Sequence, residues 1–126
     1  MTNYTAKHLN DMEAGYGGGF IKARAELGVT SFGLQVVRLP PDFEDYPDHD
    51  HTHDGQEEVY LALDGSGWLD IEGERVELGE DLLVRVGPET KRKVRSGPQG
   101  LKVLVIGGCP GEAYKIAPMS ELESAA

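Results

Sequence analysis

The chain has 126 residues, enough for one domain with a single core and too few for a second of ordinary size. Its 12 Lys and Arg stand against 22 Asp and Glu, and the net charge of −10 repels polyanions and excludes nucleic acid as a partner. One cysteine, Cys109, rules out an intrachain disulfide framework, and no segment has the length and apolarity of a membrane span or a secretory signal, so a soluble cytoplasmic domain over residues 1–126 is expected.

Residues 1–28 read as an N-terminal extension or edge segment. "YTAKHLNDMEAG" fits a short helix or a strand with a turn, and "GGGFIKARAELG" carries apolar residues at both spacings. Its three glycines lack the flanking strand and helix of a phosphate cradle and read as a loop. "TSFGLQVVRL" is a strand that stops at Pro40-Pro41. In "EEVYLALDG", Val59, Leu61 and Leu63 share one face, Glu58, Tyr60 and Ala62 share the other, and Asp64-Gly65 supplies a turn. "WLDIEGERVEL" reads as a hairpin turning at Glu72-Gly73-Glu74, anchored by Trp68. "DLLVRVGP", "KRKVRSG" and "LKVLVIGG" continue the series of short strands with Gly or Pro between them. The pattern predicts an all-β sandwich or barrel, with Val36, Leu61, Leu63, Ile71, Leu83, Val84, Val103 and Val105 in its core. After Pro118 the small, polar tail 119–126 is expected to fray.

Three of the four histidines fall within five residues, at His49, His51 and His53. On a strand such alternate positions share a face, and two imidazoles on one face can grip one ion. Glu58, after a short turn, would return a carboxylate to the same spot and complete a mixed nitrogen and oxygen set suited to Fe, Mn, Ni, Cu or Zn. A polar, solvated loop is the other reading of "DHDHTHD". A small shift of register would make His49 and His51 the pair in place of His51 and His53. Gln56 and Tyr60 lie close enough, or in the right strand phase, to line the same cavity.

The segment His51-Thr52-His53, four residues, Glu58, six residues, Gly65 resembles the first motif of the cupin family. The second, looser motif corresponds to "GEDLLVRVGPETKRKV". The resemblance implies a jelly-roll β-barrel, commonly a homodimer, with a metal or small-molecule site inside, the metal held by His51, His53 and Glu58. Where the family places its last histidine ligand this chain has Arg92, whose guanidinium cannot ligate a metal. In "KRKVR" Arg92 shares its side of the strand with Val94, while Lys91, Lys93 and Arg95 share the other.

An inward Arg92 has two readings. It pairs with Glu58 in a metal-free binding cavity, or it stands beyond a metal and holds a substrate carboxylate or phosphate. Two functional classes follow: a metal-dependent oxygenase or isomerase of the cupin type, and a non-catalytic protein that binds a small anionic molecule.

Overall fold

Antiparallel strands make up most of the protein, in a computed structural model that describes residues 2–123. In chain order they are β1 (Ala14–Gly15), β2 (Phe20–Ile21), β3 (Gly33–Leu39), β4 (Glu57–Ile71), β5 (Glu74–Leu78), β6 (Leu83–Val86) and β7 (Arg92–Gly108), with one short helix, α1 (Ala23–Leu27), between β2 and β3. The sheet order is β1-β2-β3-β7-β4-β5, and β6 pairs with β4. Among the described residues no helix is long and apolar enough to cross a membrane.

The long strands β4 and β7 each turn a corner and so belong to both walls of the barrel. Gly65 pairs with Leu101 and Gly67 with Ser96, which forces β7 to bulge between them. Gly65 sits at φ +82°, where a Cβ would lie 2.1 Å from the Gly100 carbonyl oxygen. Only glycine fits such an approach. Asp64-Gly65 is therefore a bulged corner within one strand and not the expected turn, and "KRKVRSG" and "LKVLVIGG" run on as a single strand. The hairpin from β4 to β5 does turn at Glu72 and Gly73, both with positive φ, as a tight two-residue connection requires.

The core gathers Phe20, Val37, Leu39, Tyr60, Leu69, Leu78, Val86, Val94, Leu101, Val103 and Val105, with Ile71 and Val84 packed at its margin. Val36 is buried on the opposite face of β3, where its register partner on β2 is Ile21. Leu61, Leu63 and Leu83, expected in the core, face outward instead. Leu63 is 46% exposed and Leu83 65%. The phase of β4 is set by Glu58, Tyr60 and Ala62, which point in, so Leu61 lies on the outer surface with its neighbours Leu83 and Leu104.

The N-terminal segment resolves as two short strands and a helix stopped by Gly28, whose N–H bonds the Arg24 and Ala25 carbonyls in a left-handed cap. Buried Lys22 donates from Nζ to Glu13 (2.7 Å) and to the Glu121 carbonyl (2.9 Å). The Glu123 N–H also bonds Glu13, at 2.9 Å. The tail expected to fray is thus tied down as far as Glu123, and 124–126 lie outside the described residues.

Residues 40–49 form a strap along the first half of β7. Its near end is pinned by Ser96, whose Oγ accepts from the Phe43 N–H (2.8 Å) and donates to the Pro40 carbonyl (2.6 Å). At its far end His49 and Arg92 exchange both backbone hydrogen bonds, at 3.0 and 2.8 Å. Phe43 and Tyr46 turn from the strap onto the core.

Candidate metal centre

Glu58 lies on the inner face near the start of β4, between Gly107 of β7 and Val86 of β6, and is 4% exposed. Four side chains converge on its Oε1. The Tyr60 hydroxyl donates to it at 2.8 Å, His51 Nε2 stands at 3.2 Å, Arg92 Nη1 at 3.7 Å and His49 Nε2 at 3.9 Å. His49 reaches it from the far end of the strap, where its backbone pairs with Arg92. His51 is placed by its N–H, which bonds the Pro88 carbonyl at 2.7 Å.

His53 does not join them. The chain turns over Thr52–Gly55, closed by the Gly55 N–H on the His51 carbonyl (2.8 Å), and the strand alternation that would keep His53 in phase ends there. Its side chain is 73% exposed and faces Asp54. Two groups lie close enough to share one ion: His49, His51 and Glu58, the pairing that the alternative register gives, and His51, His53 and Asp54; His51, His53 and Glu58 do not come together.

Proton placement decides whether His49, His51 and Glu58 suit a cation. A carbonyl and a carboxylate only accept, so a ring nitrogen bonded to either must carry its hydrogen. His49 Nδ1 bonds the Pro47 carbonyl at 3.0 Å, and His51 Nδ1 faces both oxygens of Asp54, at 3.1 and 3.2 Å. In a neutral ring both Nε2 atoms then present lone pairs toward the Glu58 carboxylate. His51 Nε2 is buried without a hydrogen-bond partner. Lone pairs turned on one point repel unless a cation lies between them, so the donor set fits a transition metal. Without one, a proton does the same work: burial opposes the charged form of His51, but its contact with Glu58 outweighs burial and raises its pKa. Burial likewise acts to raise Glu58, and the facing His49 and His51 rings outweigh it, holding the carboxyl well below its usual range.

Arg92 points into the barrel and is 0% exposed. Its Nη2 donates to the Gly87 carbonyl at 2.6 Å, whereas Nε and Nη1 have no hydrogen-bond partner among the described residues. Two buried guanidinium donors without acceptors are costly, and an anion would satisfy them.

Tyr60 spends its hydroxyl on Glu58, and burial followed by that negative charge pushes its pKa well up. It orients the carboxylate. Gln56 lies over Gly107, where a Cβ would meet its Oε1 at 1.9 Å. Tyr114 lies in the same way over Gly33, the register partner of Gly107. One participant escaped the sequence reading: Asp54 follows the histidines directly and sits at i+3 from His51, a signal that was there to use. An open surface depression lined by Thr52, Gly55, Gly87 and Pro88 adjoins the centre on the side of the Arg92 anchor.

No family model and no curated protein matches the sequence. Solved structures do match. A cupin protein from Bacteroides fragilis superposes with a TM-score of 0.72 at 23% identity, covering 97% of both chains. A sugar phosphate isomerase of the cupin superfamily from Silicibacter pomeroyi gives 0.68 at 17% identity, over 82% of this chain and 75% of that one. The Cupin_2 domain of an XRE family transcriptional regulator from Enterobacter cloacae gives 0.56 at 18% identity, over 66% and 86%.

Proposed function

We propose, on the premise that this chain is a cupin-fold barrel, that it holds one divalent transition metal on His49, His51 and Glu58 and binds a small anionic molecule beside it through Arg92. The observation that carries the reading is the placement of the two rings: Pro47 and Asp54 face the Nδ1 atoms, and both Nε2 atoms are turned toward Glu58. Three protein ligands leave coordination positions open, and Fe, Mn, Ni, Cu or Zn would supply Lewis-acid polarisation of an oxygenated ligand there.

The chain's own residues do the rest. Tyr60 holds Glu58 by donating to Oε1, Arg92 offers Nε and Nη1 to a carboxylate or phosphate, and the strap shields both from water. The neighbour described as a sugar phosphate isomerase names an anionic, hydroxylated class of molecule that such a cavity would suit. The 3.7 Å approach of Arg92 to Glu58 supports a second, metal-free reading, in which the guanidinium neutralises the carboxylate. Elemental analysis of untagged protein prepared without chelator tests the choice: one metal per chain supports the first reading, and none supports the second.

The protein is also proposed to be a homodimer. Leu61, Leu63, Leu83 and Ile106 form an apolar band on the outer face of β4, β6 and β7, and a second copy would cover it.

A further inference from the structure

We propose that Asp54 is a positioning residue, which holds the His51 proton on Nδ1 and so turns the Nε2 lone pair toward the metal. The inference rests on the metal reading above and adds a residue outside the ligand set.

The geometry is two-sided. Both Asp54 oxygens lie in hydrogen-bond range of His51 Nδ1, at 3.1 and 3.2 Å, and on the other side of the same ring Nε2 is buried without a partner, 3.2 Å from Glu58 Oε1. A neutral imidazole has one proton. Given to Nε2, it would leave Nδ1 facing both Asp54 oxygens lone pair to lone pair; given to Nδ1, it satisfies Asp54 and leaves the Nε2 lone pair facing Glu58 Oε1, an arrangement that a cation between them completes.

Asp54 is itself held in place. Its N–H bonds the His51 carbonyl (3.3 Å), its Oδ1 accepts the Gln56 N–H (3.0 Å), and its carbonyl accepts the Cys109 thiol (3.3 Å). The turn that carries His53 away from the centre is thus the turn that delivers Asp54 to the back of His51. A carboxylate behind an imidazole also makes it a stronger donor. His49 has only the neutral Pro47 carbonyl in that place, so the two histidines are unequal ligands, with His51 the stronger.

A competing arrangement uses the same atoms. His51, His53 and Asp54 also lie close enough together to hold an ion, and Asp54 would then be a ligand. The two arrangements part on His53, which the positioning role does not need.

The test measures Zn²⁺ affinity by chelator competition in the untagged full-length protein and in its Asp54→Ala, Asp54→Asn and His53→Ala variants, together with the His51 tautomer by ¹⁵N NMR of zinc-free protein at alkaline pH. Asp54→Ala should weaken zinc binding by about 10- to 100-fold. Asp54→Asn keeps an acceptor toward Nδ1, so it should lose less, and it serves alone if the alanine variant does not fold. His53→Ala should bind as the parent does. The parent His51 should carry its proton on Nδ1, and Asp54→Ala should shift it toward Nε2. Parent-like zinc affinity in both Asp54 variants, an Nε2 proton in the parent, or equal losses from His53→Ala and Asp54→Ala would overturn the assignment. If the parent binds no zinc or other divalent metal, the metal reading fails, and the tautomer alone decides the role of Asp54.

Discussion

The Arg92 guanidinium stands 3.7 Å from Glu58 Oε1, yet its one hydrogen bond runs to the Gly87 carbonyl. The two charges face one another without closing a bond, which leaves Nε and Nη1 to an anionic group.

Replacing Arg92 should therefore affect ligand affinity more than the fold. Charge-assisted hydrogen bonds contribute roughly 1.5 to 3 kcal/mol each, so Arg92→Ala should weaken binding of a carboxylate found by thermal-shift screening at least about tenfold. Arg92→Lys should recover only part of the loss, because a point charge lacks the planar fork. Equal affinities by calorimetry in parent and both variants would remove Arg92 from the binding site.

The histidines separate by position. The double variant His49→Ala, His51→Ala should abolish stoichiometric metal, while His53→Ala should leave it intact, as read by elemental analysis of dialysed protein. Loss of metal in the His53 variant would return that residue to the ligand set.

How this centre was legible in sequence, and where it was not, follows from strand phase. Glu58 and Arg92 sit in regular strands, where parity gives the side. His53 sits in a turn, where parity has no meaning, and nothing in "HTHDG" marks the residue at which the turn begins. The core misreading has a related cause: β4 is apolar on both faces, so Leu61 and Leu63 compete with Tyr60 and Ala62 for the interior. What breaks the tie is long-range pairing with β6 and β7. Asp64-Gly65 carries the local chemistry of a turn, and only the approach of Gly100 makes it a corner.

That corner should be intolerant. Gly65→Ala places a side chain at a positive φ and against the Gly100 carbonyl, and should cost more than about 2 kcal/mol in urea unfolding. A change within experimental error would show that β4 and β7 can part there.

The N-terminal segment should respond to acid. A hydrogen bond from Lys22, then one from the Glu123 N–H, lower the Glu13 pKa below 4.5; Lys7, then the Glu13 N–H, do the same for Glu26. Carboxyls depressed by folding contribute stability above their unfolded pKa and lose it as pH falls through the folded one. The Tm difference between the parent and the double variant Glu13→Gln, Glu26→Gln should stay level from about pH 7 to 5 and close toward about pH 3. A difference that persists unchanged in acid would show that charge is not what these residues contribute.

The outer band predicts an assembly. Light scattering at tens of micromolar should give twice the chain mass of 13.7 kDa, and Leu63→Glu with Leu83→Glu should return it to the monomer. A monomeric parent would leave the band uncovered and the dimer disproved.

The strap carries a consequence for rates. It is fastened at Ser96 and again at the backbone of Arg92, and the Arg92 guanidinium is fully shielded from solvent. A solute entering past the strap must wait until one fastening lets go. In stopped-flow mixing the observed association rate should then climb with ligand concentration only to a plateau, the opening rate of the strap, well below the diffusional limit. Ser96→Ala removes the side-chain clasp on Pro40 and Phe43 and should raise both that plateau and the slope at low concentration.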